Sequence, residues 1–366
     1  MGDIGFGIVG CGTIADTHAL AISHIKDAQL IAVSSRNEDN AKQFSIKYEC
    51  DYYTDYNDML KRQDIDVINI CVPSGLHAEI AIKAAEAGKH VIVDKPMEIT
   101  IEKANRMIEV FQEKKLKLCV VFQRRYKNDI MIAKKIIDQG KLGRIFFGGC
   151  YIKWYRSQEY YDSSAWRGTW ALDGGGVLMN QASHYIDLMQ HFLGPVKEVY
   201  ARSKTVNHCI EVEDLAIVNL EYTSGALGVI EATTSAYPGL CSRIDIYGTN
   251  GRIVIENDDI IELYTKNKEA LFDKTQKQCP ENPHVPFQRQ FEQMMEAIRN
   301  DRDPEVNGNE GKKSLEIILA AYKSVFSKKS VKLPLKDSKF LEEFIQTNNQ
   351  NLETTKMKSV NKLVKN

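Results

Sequence analysis

The chain has 366 residues and a formal net charge of −1, with 43% hydrophobic and 27% charged residues. That length exceeds a single hydrophobic core, so two domains are expected, and the near-neutral balance carries no electrostatic footprint for nucleic acid or a membrane surface. No apolar run approaches the ~18 residues of a spanning helix, and the N-terminus lacks the basic region and apolar core of a signal peptide, so a cytoplasmic location is expected.

Over the first 122 residues, strand-like runs at 4–10, 29–35, 66–72, 90–93 and 117–122 alternate with helical periodicity. The periodicity is clearest at 76–87, which stops at Gly88, and at 105–113. Such alternation requires right-handed crossovers between parallel strands, so residues 1–124 are expected to form an α/β, doubly wound parallel sheet. The rhythm then changes. A helix at 129–139 and a strand at 145–154 lead into an aromatic, glycine-rich stretch ending at Gly176, followed by a helix at 181–193. Strands at 196–205, 214–222, 226–234, 242–247, 252–256 and 260–264 come next, and helices at 286–300 and 310–327 close the unit. Residues 125–336 therefore read as an α+β domain with a large, mostly antiparallel open sheet and helices on one face. The other face lacks an obvious cover, so a homodimer or homotetramer through this sheet is expected. Residues 337–366 are polar and read as a mobile tail or a loosely docked helix. Eight cysteines are scattered without a C-x-x-C pair, as expected of reduced thiols.

Gly10-x-Gly12-x-x-Ala15 follows the first strand and opens a helix, the setting that makes this glycine pattern a dinucleotide fingerprint. Gly10 permits the tight turn, Gly12 lets the backbone approach a pyrophosphate, and Ala15 is small enough for helix–strand packing. Thr13 and Ile14 open the helix, whose free N–H groups face the phosphates. At the end of the second strand, where an NAD-selective site presents an acid to the ribose, the chain has Ser35 and Arg36. Arg36 can grip a 2′-phosphate with two hydrogen bonds, so NADP is expected in preference to NAD. Cys71 and Pro73 end the next parallel strand on the same rim and are expected beside the nicotinamide-side ribose. His77 lies just beyond, either near the cofactor or as a surface or capping histidine.

Taken together, Gly10-x-Gly12-x-x-Ala15, Pro73-Ser74-x-x-His77, Asp94-Lys95-Pro96, Gln123-Arg124-Arg125 and Gly174-Gly175-Gly176…Asn180-x-x-x-His184 resemble the Gfo/Idh/MocA family of glucose–fructose oxidoreductase and inositol dehydrogenase. The resemblance covers about residues 1–335. It implies a Rossmann domain, a C-terminal domain whose open sheet often forms oligomer interfaces, and NAD(P)-dependent oxidation or reduction of a sugar or cyclitol hydroxyl. The family's lysine motif is usually Glu-Lys-Pro. Here Asp94 replaces the glutamate on the cofactor side, and the catalytic role carries over to Lys95. Inositol dehydrogenase members have Asp-x-x-x-His on the following helix. Here Asn180 replaces that aspartate, and an amide cannot take up a proton.

The residues themselves point the same way. Oxidising a secondary alcohol requires loss of the hydroxyl proton as hydride leaves carbon. Histidine titrates near neutrality and suits the base, and a neighbouring ammonium stabilises the developing alkoxide. His184 is assigned as general acid/base, and Lys95 as electrostatic stabiliser and proton relay. Asn180 is expected one turn before His184 on the same helix face, binding substrate hydroxyls. Trp166 and Arg167 are expected to stack on a sugar and grip its polar groups. Arg124 and Arg125 either read an anionic group on the substrate, such as a uronate or nucleotide diphosphate, or form interdomain salt bridges. Asp187 is expected to orient the His184 ring or a nearby backbone group and so to border the substrate, and His191 to be structural. No metal is expected, because His184 and His191 stand roughly 10 Å apart along a helix at 1.5 Å per residue. The leading function is hydride transfer between NAD(P) and a secondary hydroxyl of a sugar, cyclitol or nucleotide sugar. The alternatives are a redox-assisted glycosidase or epimerase with tightly bound cofactor, and a non-catalytic dinucleotide-sensing regulator.

Overall fold

The computed structural model describes residues 3–266, 281–341 and 343–344. Strands β1 (Ile4–Val9), β2 (Ala28–Ser34), β3 (Asp51–Tyr53), β4 (Val67–Ile70), β5 (His90–Val93) and β6 (Leu118–Val120) pair in parallel in the order β3-β2-β1-β4-β5-β6. The order reverses between β1 and β4, and in open α/β sheets ligands bind at such a switch point, beyond the strands' carboxyl ends. All of β1 is buried, because helices cover both faces of the sheet. On one face, Phe6 and Ile8 pack with Ile22 of the helix Thr13–Ser23 and with Phe287 and Phe291 of the helix Val285–Arg299. On the other, Ile68, Ile70, Val91 and Val93 pack with Ala81, Ala84 and Met107 from the helices His77–Glu86 and Ile101–Glu113.

The second sheet contains β7 (Ile145–Lys153), β8 (Val196–Lys204), β9 (Leu215–Tyr222), β10 (Leu227–Thr233), β11 (Arg243–Gly248), β12 (Gly251–Glu256), β13 (Asp259–Thr265) and the short β14 (Val331–Lys332), in the order β13-β12-β11-β7-β10-β9-β8-β14. The pairing is antiparallel except between β7 and β10, which run parallel. Alternation along β9 buries Ala216, Val218, Leu220 and Tyr222 on the inner face and leaves Ile217 outside. The helices Ser183–Leu193 and Gly308–Ser327 cover the inner face. The first fits closely: a Cβ on Gly148 of β7 would meet Leu193 and Met189 at 2.8 and 2.9 Å.

Two departures from the sequence reading matter for the site. The helix expected from 181 begins at Ser183, so Asn180 lies in the turn before it rather than on its face. The polar C-terminal segment also packs against the body of the protein where it begins. Leu341 and Phe344 are buried, and the Phe344 ring meets Trp170 edge-on at 5.2 Å. Ser338 donates from its backbone N–H to Glu102 at 2.9 Å. A few large apolar side chains overrode the polar average of that stretch; residues 345–366, where the mobile tail was expected, lie outside the described residues. Among the described residues no helix is long and apolar enough to cross a membrane.

Candidate active site

The carboxyl ends of β1, β2, β4 and β5 open into one cleft of about 1040 Å³. Gly10, Gly12, Thr13, Ile14, Ser35, Arg36, Cys71, Pro73, Asp94 and Lys95 line it from the parallel sheet. Trp166, Arg167 and Asn180 line it from the loops of the second domain. At Gly10 (φ +109°) a Cβ would lie 2.2 Å from the Cys71 carbonyl oxygen, so only glycine lets β1 turn this close to β4. Gly12 caps the helix Thr13–Ser23 with no side-chain hydrogen bond, and a Cβ there would meet nothing within 4 Å. The open, uncapped helix end fits a dinucleotide pyrophosphate. Thr54, Asp55 and Tyr56 also line the cleft, a contribution with no motif in the sequence to announce it.

Lys95 lies two residues past β5, and its Nζ donates to the Asn180 backbone carbonyl at 2.8 Å. Burial lowers the ammonium's pKa; the nearby carboxylates of Asp94 and Asp173 oppose this, and Arg124 adds to it. His184 stands one turn beyond Asn180, half-buried beside the cleft lining, with its ring edge-on to Phe122 at 5.9 Å. Its pKa is held well below the ordinary histidine value by burial, then by the positive charges of Lys95 and Arg124. Its Nδ1 is buried without a partner, leaving a neutral imidazole flanked by cations.

Several expected roles are corrected. Asp187 does not border the cleft or orient His184: it is fully buried, and its two oxygens accept from Arg125 Nε and Nη2 at 2.7 and 2.6 Å. Arg124 is not part of the cleft lining either. It donates to Asp258 in the β12–β13 turn and lies 4.6 Å over the Tyr185 ring, so its charge reaches the site only through space. Arg124 takes the interdomain salt bridge, to Asp258, while Arg125 pairs with Asp187 of the histidine helix within the second domain; in both cases the buried carboxylate opposite is invisible in the linear sequence. His77 is neither on the surface nor in contact with the cleft. Its ring is buried, with Nδ1 2.9 Å from the Pro96 carbonyl and Nε2 2.8 Å from that of Val72, tying two strand-end loops together. His191 is pushed down to about 3 by burial and by Arg125, Lys134 and Lys313.

Sequence reasoning missed Asp173, which stands directly before the triple glycine and is 3% exposed. Its Oδ1 accepts from the Asn180 side-chain amide and its Oδ2 from the Gly168 N–H, both at 3.0 Å. Glu213 was missed as well. Fully buried, it accepts from the N–H groups of Gly176 and Leu178 and from the Tyr322 hydroxyl, each at 3.0 Å, and so anchors the chain just after the glycines. Only the acid in Asp-Gly-Gly-Gly was a signal; the partners of both carboxylates come from folding.

The fold and these motifs agree with the comparisons to known proteins. Residues 4–122 match the oxidoreductase family with an NAD-binding Rossmann fold, and residues 130–254 match the GFO/IDH/MocA C-terminal domain. The chain belongs to the Gfo/Idh/MocA oxidoreductase family. It is 26% identical over 339 residues to myo-inositol 2-dehydrogenase of Thermotoga maritima, covering 89% of this chain and 98% of that protein. It is 29% identical over 298 residues to levoglucosan dehydrogenase of Pseudarthrobacter phenanthrenivorans, covering 72% of this chain and 76% of that one. Among solved structures, the WlbA dehydrogenase of Bordetella pertussis, in complex with NADH and UDP-GlcNAcA, superposes with a TM-score of 0.82 at 34% identity, covering 91% of this chain and 100% of that one. This family member is therefore a dinucleotide-dependent dehydrogenase with an NAD(H)-type Rossmann site.

Proposed function

We propose that the protein oxidises a secondary hydroxyl of an anionic sugar, a nucleotide-linked uronate or amino sugar being the best fit, in the cytoplasm. The observation that carries this reading is the convergence of Lys95 from the parallel sheet and His184 from the second domain around the Asn180 turn. NAD(P), when bound along the glycine turn, supplies the hydride acceptor. The neutral His184 ring takes the hydroxyl proton, and the Lys95 ammonium stabilises the oxyanion and passes protons onward. Burial with two cations makes the imidazolium costly, so His184 does not retain the proton it accepts.

The charge of the substrate is read from the loop that closes the cleft. Arg167 stacks 4.4 Å from the Tyr160 ring centroid, and Arg156 5.3 Å from the same centroid. Arg167 is held by the Tyr160 carbonyl at 3.1 Å and by Ser163, and its Nε is buried without a partner. Neither guanidinium pairs with a carboxylate among the described residues; Arg167, on the cleft wall and 5.5 Å over the Trp166 ring, suits a phosphate or carboxylate on a sugar, and Arg156, sharing the Tyr160 ring, adds positive charge nearby. The related WlbA dehydrogenase, bound to UDP-GlcNAcA, supports the nucleotide-linked class. For the cofactor, the exposed Arg36 beside Ser35 favours NADP, while the NADH-bound relative supports NAD.

The deciding experiment is a screen of UDP-N-acetylglucosaminuronate, free uronates, neutral aldoses and inositols with NAD and NADP, followed by reduced-cofactor absorbance. The nucleotide uronate is expected to give the highest kcat/KM. A clear preference for a neutral cyclitol would reject the arginine reading, and sugar cleavage without net reduction would reject the dehydrogenase reading.

A further inference from the structure

We propose that Asp173 is a positioning residue that fixes the Asn180 side-chain amide with its oxygen presented to the substrate. This rests on reading the cleft as a sugar-oxidising site. An ionised carboxylate only accepts hydrogen bonds, so the end of the amide that meets Asp173 Oδ1 at 3.0 Å must be the NH2 group. The Gly168 N–H occupies the other oxygen at 3.0 Å, which leaves the carboxylate no freedom to rotate away. Asn180 lines the cleft, so the free end of its amide is an acceptor there. Its own backbone carbonyl meanwhile holds Lys95 Nζ at 2.8 Å. One residue thus locates the ammonium through its main chain and offers an acceptor through its side chain. A substrate hydroxyl that donates to Asn180 lies beside the group that stabilises its neighbouring oxyanion.

This pairing also accounts for an amide, rather than a carboxylate, at position 180. An aspartate there would put two carboxylates about 3 Å apart, and such a pair must share a proton. With Asp173 present, asparagine is the residue that leaves a single carboxylate to titrate in the pair. The groups facing Asp173 are Lys95 from the end of β5, Arg167 from its own loop and Tyr322 from the helix Gly308–Ser327, with Glu213 beyond Tyr322. Burial pushes the Asp173 carboxyl up to about 6, against the hydrogen bonds and the two cations. Above that pH the carboxylate holds the amide; below it a proton occupies an acceptor site and the amide is released.

The test is an exchange cycle in the full-length protein with D173N, N180D and D173N/N180D. In the double variant the amide at 173 donates to the carboxylate at 180 and still accepts from Gly168, so the contact is remade in reverse. With UDP-N-acetylglucosaminuronate and NAD as probes, each single variant is expected to lower kcat about tenfold or more, the effect of losing a charge-assisted hydrogen bond. NADH affinity is expected to stay at the wild-type level. The double variant is expected to regain most of that loss, and the acid limb of the wild-type kcat profile near pH 6 should vanish in D173N. Thermal unfolding supplies a readout independent of the substrate: N180D should lose stability at pH 8 relative to pH 5, and the double variant should not. If wild type leaves the probe unreacted, the nucleotide-sugar reading falls and the kinetic cycle is run on whichever panel sugar is oxidised. A double variant no faster than its slower parent, together with a flat N180D stability profile, overturns the role of Asp173.

Discussion

Arg125 and Asp187 form a two-pronged ion pair, 7% and 1% exposed, between the segment following the last parallel strand and the helix that carries His184. Glu310, at the start of the helix Gly308–Ser327, adds a third contact at 3.4 Å. The pair sets how the histidine helix sits against the parallel sheet, and hence how His184 meets Lys95. Breaking one side leaves an uncompensated buried charge. Arg125→Met is therefore expected to destabilise the protein by about 3–5 kcal/mol, and Arg125→Met/Asp187→Leu to recover most of that loss. Urea unfolding of the three proteins checks this; equal stability of wild type and R125M would refute it.

Lys95 carries the sharpest kinetic prediction. It belongs to the cleft wall, and its ammonium donates to the Asn180 carbonyl. Lys95→Met removes the charge and keeps most of the volume. It is expected to lower kcat on the order of a thousandfold while leaving NADH binding intact, since the charge acts on the developing oxyanion. Single-turnover rates and a cofactor titration separate the two effects. Near-normal turnover of K95M would rule out the assigned chemistry.

Much of this architecture was legible in the linear sequence, for a physical reason. Strand and helix periodicities, the glycine turn at Gly10 and the Asp94-Lys95-Pro96 run are local signals, and the fold keeps local signals where they stand. The parallel pairing of β7 with β10 was not legible, because it joins segments separated by two helices and two strands. The buried acids Asp187, Asp258 and Asp173 were misplaced or missed for a related reason. Burial of a charge depends on a partner that only the tertiary fold supplies, 62 and 134 residues away for the first two. In Asp173 the partner is only seven residues away, yet the turn joining them has no periodicity to read.

Arg36 is exposed at the mouth of the cleft, and Ser35 Oγ beside it accepts from the Asn37 N–H at 3.3 Å. If this arginine grips a 2′-phosphate, kcat/KM is higher with NADP than with NAD, and Arg36→Ala lowers the NADP value about tenfold or more with little change for NAD. Steady-state kinetics with both cofactors gives the answer. An NAD preference in wild type that survives R36A unchanged removes Arg36 from cofactor selection.

The outer face of the second sheet carries Ile217 (46% exposed) and Leu227 (58% exposed), with Val229 and Phe147 on neighbouring strands. Among the described residues no helix covers this face. A second copy of the chain would bury these side chains, giving a homodimer, or a homotetramer if two such faces are used. Ile217→Lys/Leu227→Glu is expected to shift the protein toward monomer in analytical ultracentrifugation without loss of fold. A wild-type monomer at micromolar concentration would dismiss this interface.

His18 makes the protein sensitive to acid from inside the dinucleotide domain. Its ring is fully buried against Phe287 and Phe291, with Nδ1 3.3 Å from Cys71 Sγ and Nε2 unpartnered. Burial lowers its pKa from 6.5 to about 4, only partly offset by Asp94. Below the unfolded value the unfolded chain takes a proton that the folded chain refuses. Stability present above pH 6.5 is therefore lost as pH falls toward 4, by about 3 kcal/mol at 1.36 kcal/mol per pH unit. His191 contributes with the same sign, whereas Glu213, raised to about 7 by burial, contributes with the opposite sign between its unfolded value and 7. The informative quantity is thus the difference between wild type and His18→Leu, measured by urea unfolding between pH 4 and 7. The variant is expected to lose less stability across that interval. Parallel curves would show that His18 is protonated in the folded protein, and Cys71, on the wall of the cofactor cleft, would then stand against a charged ring.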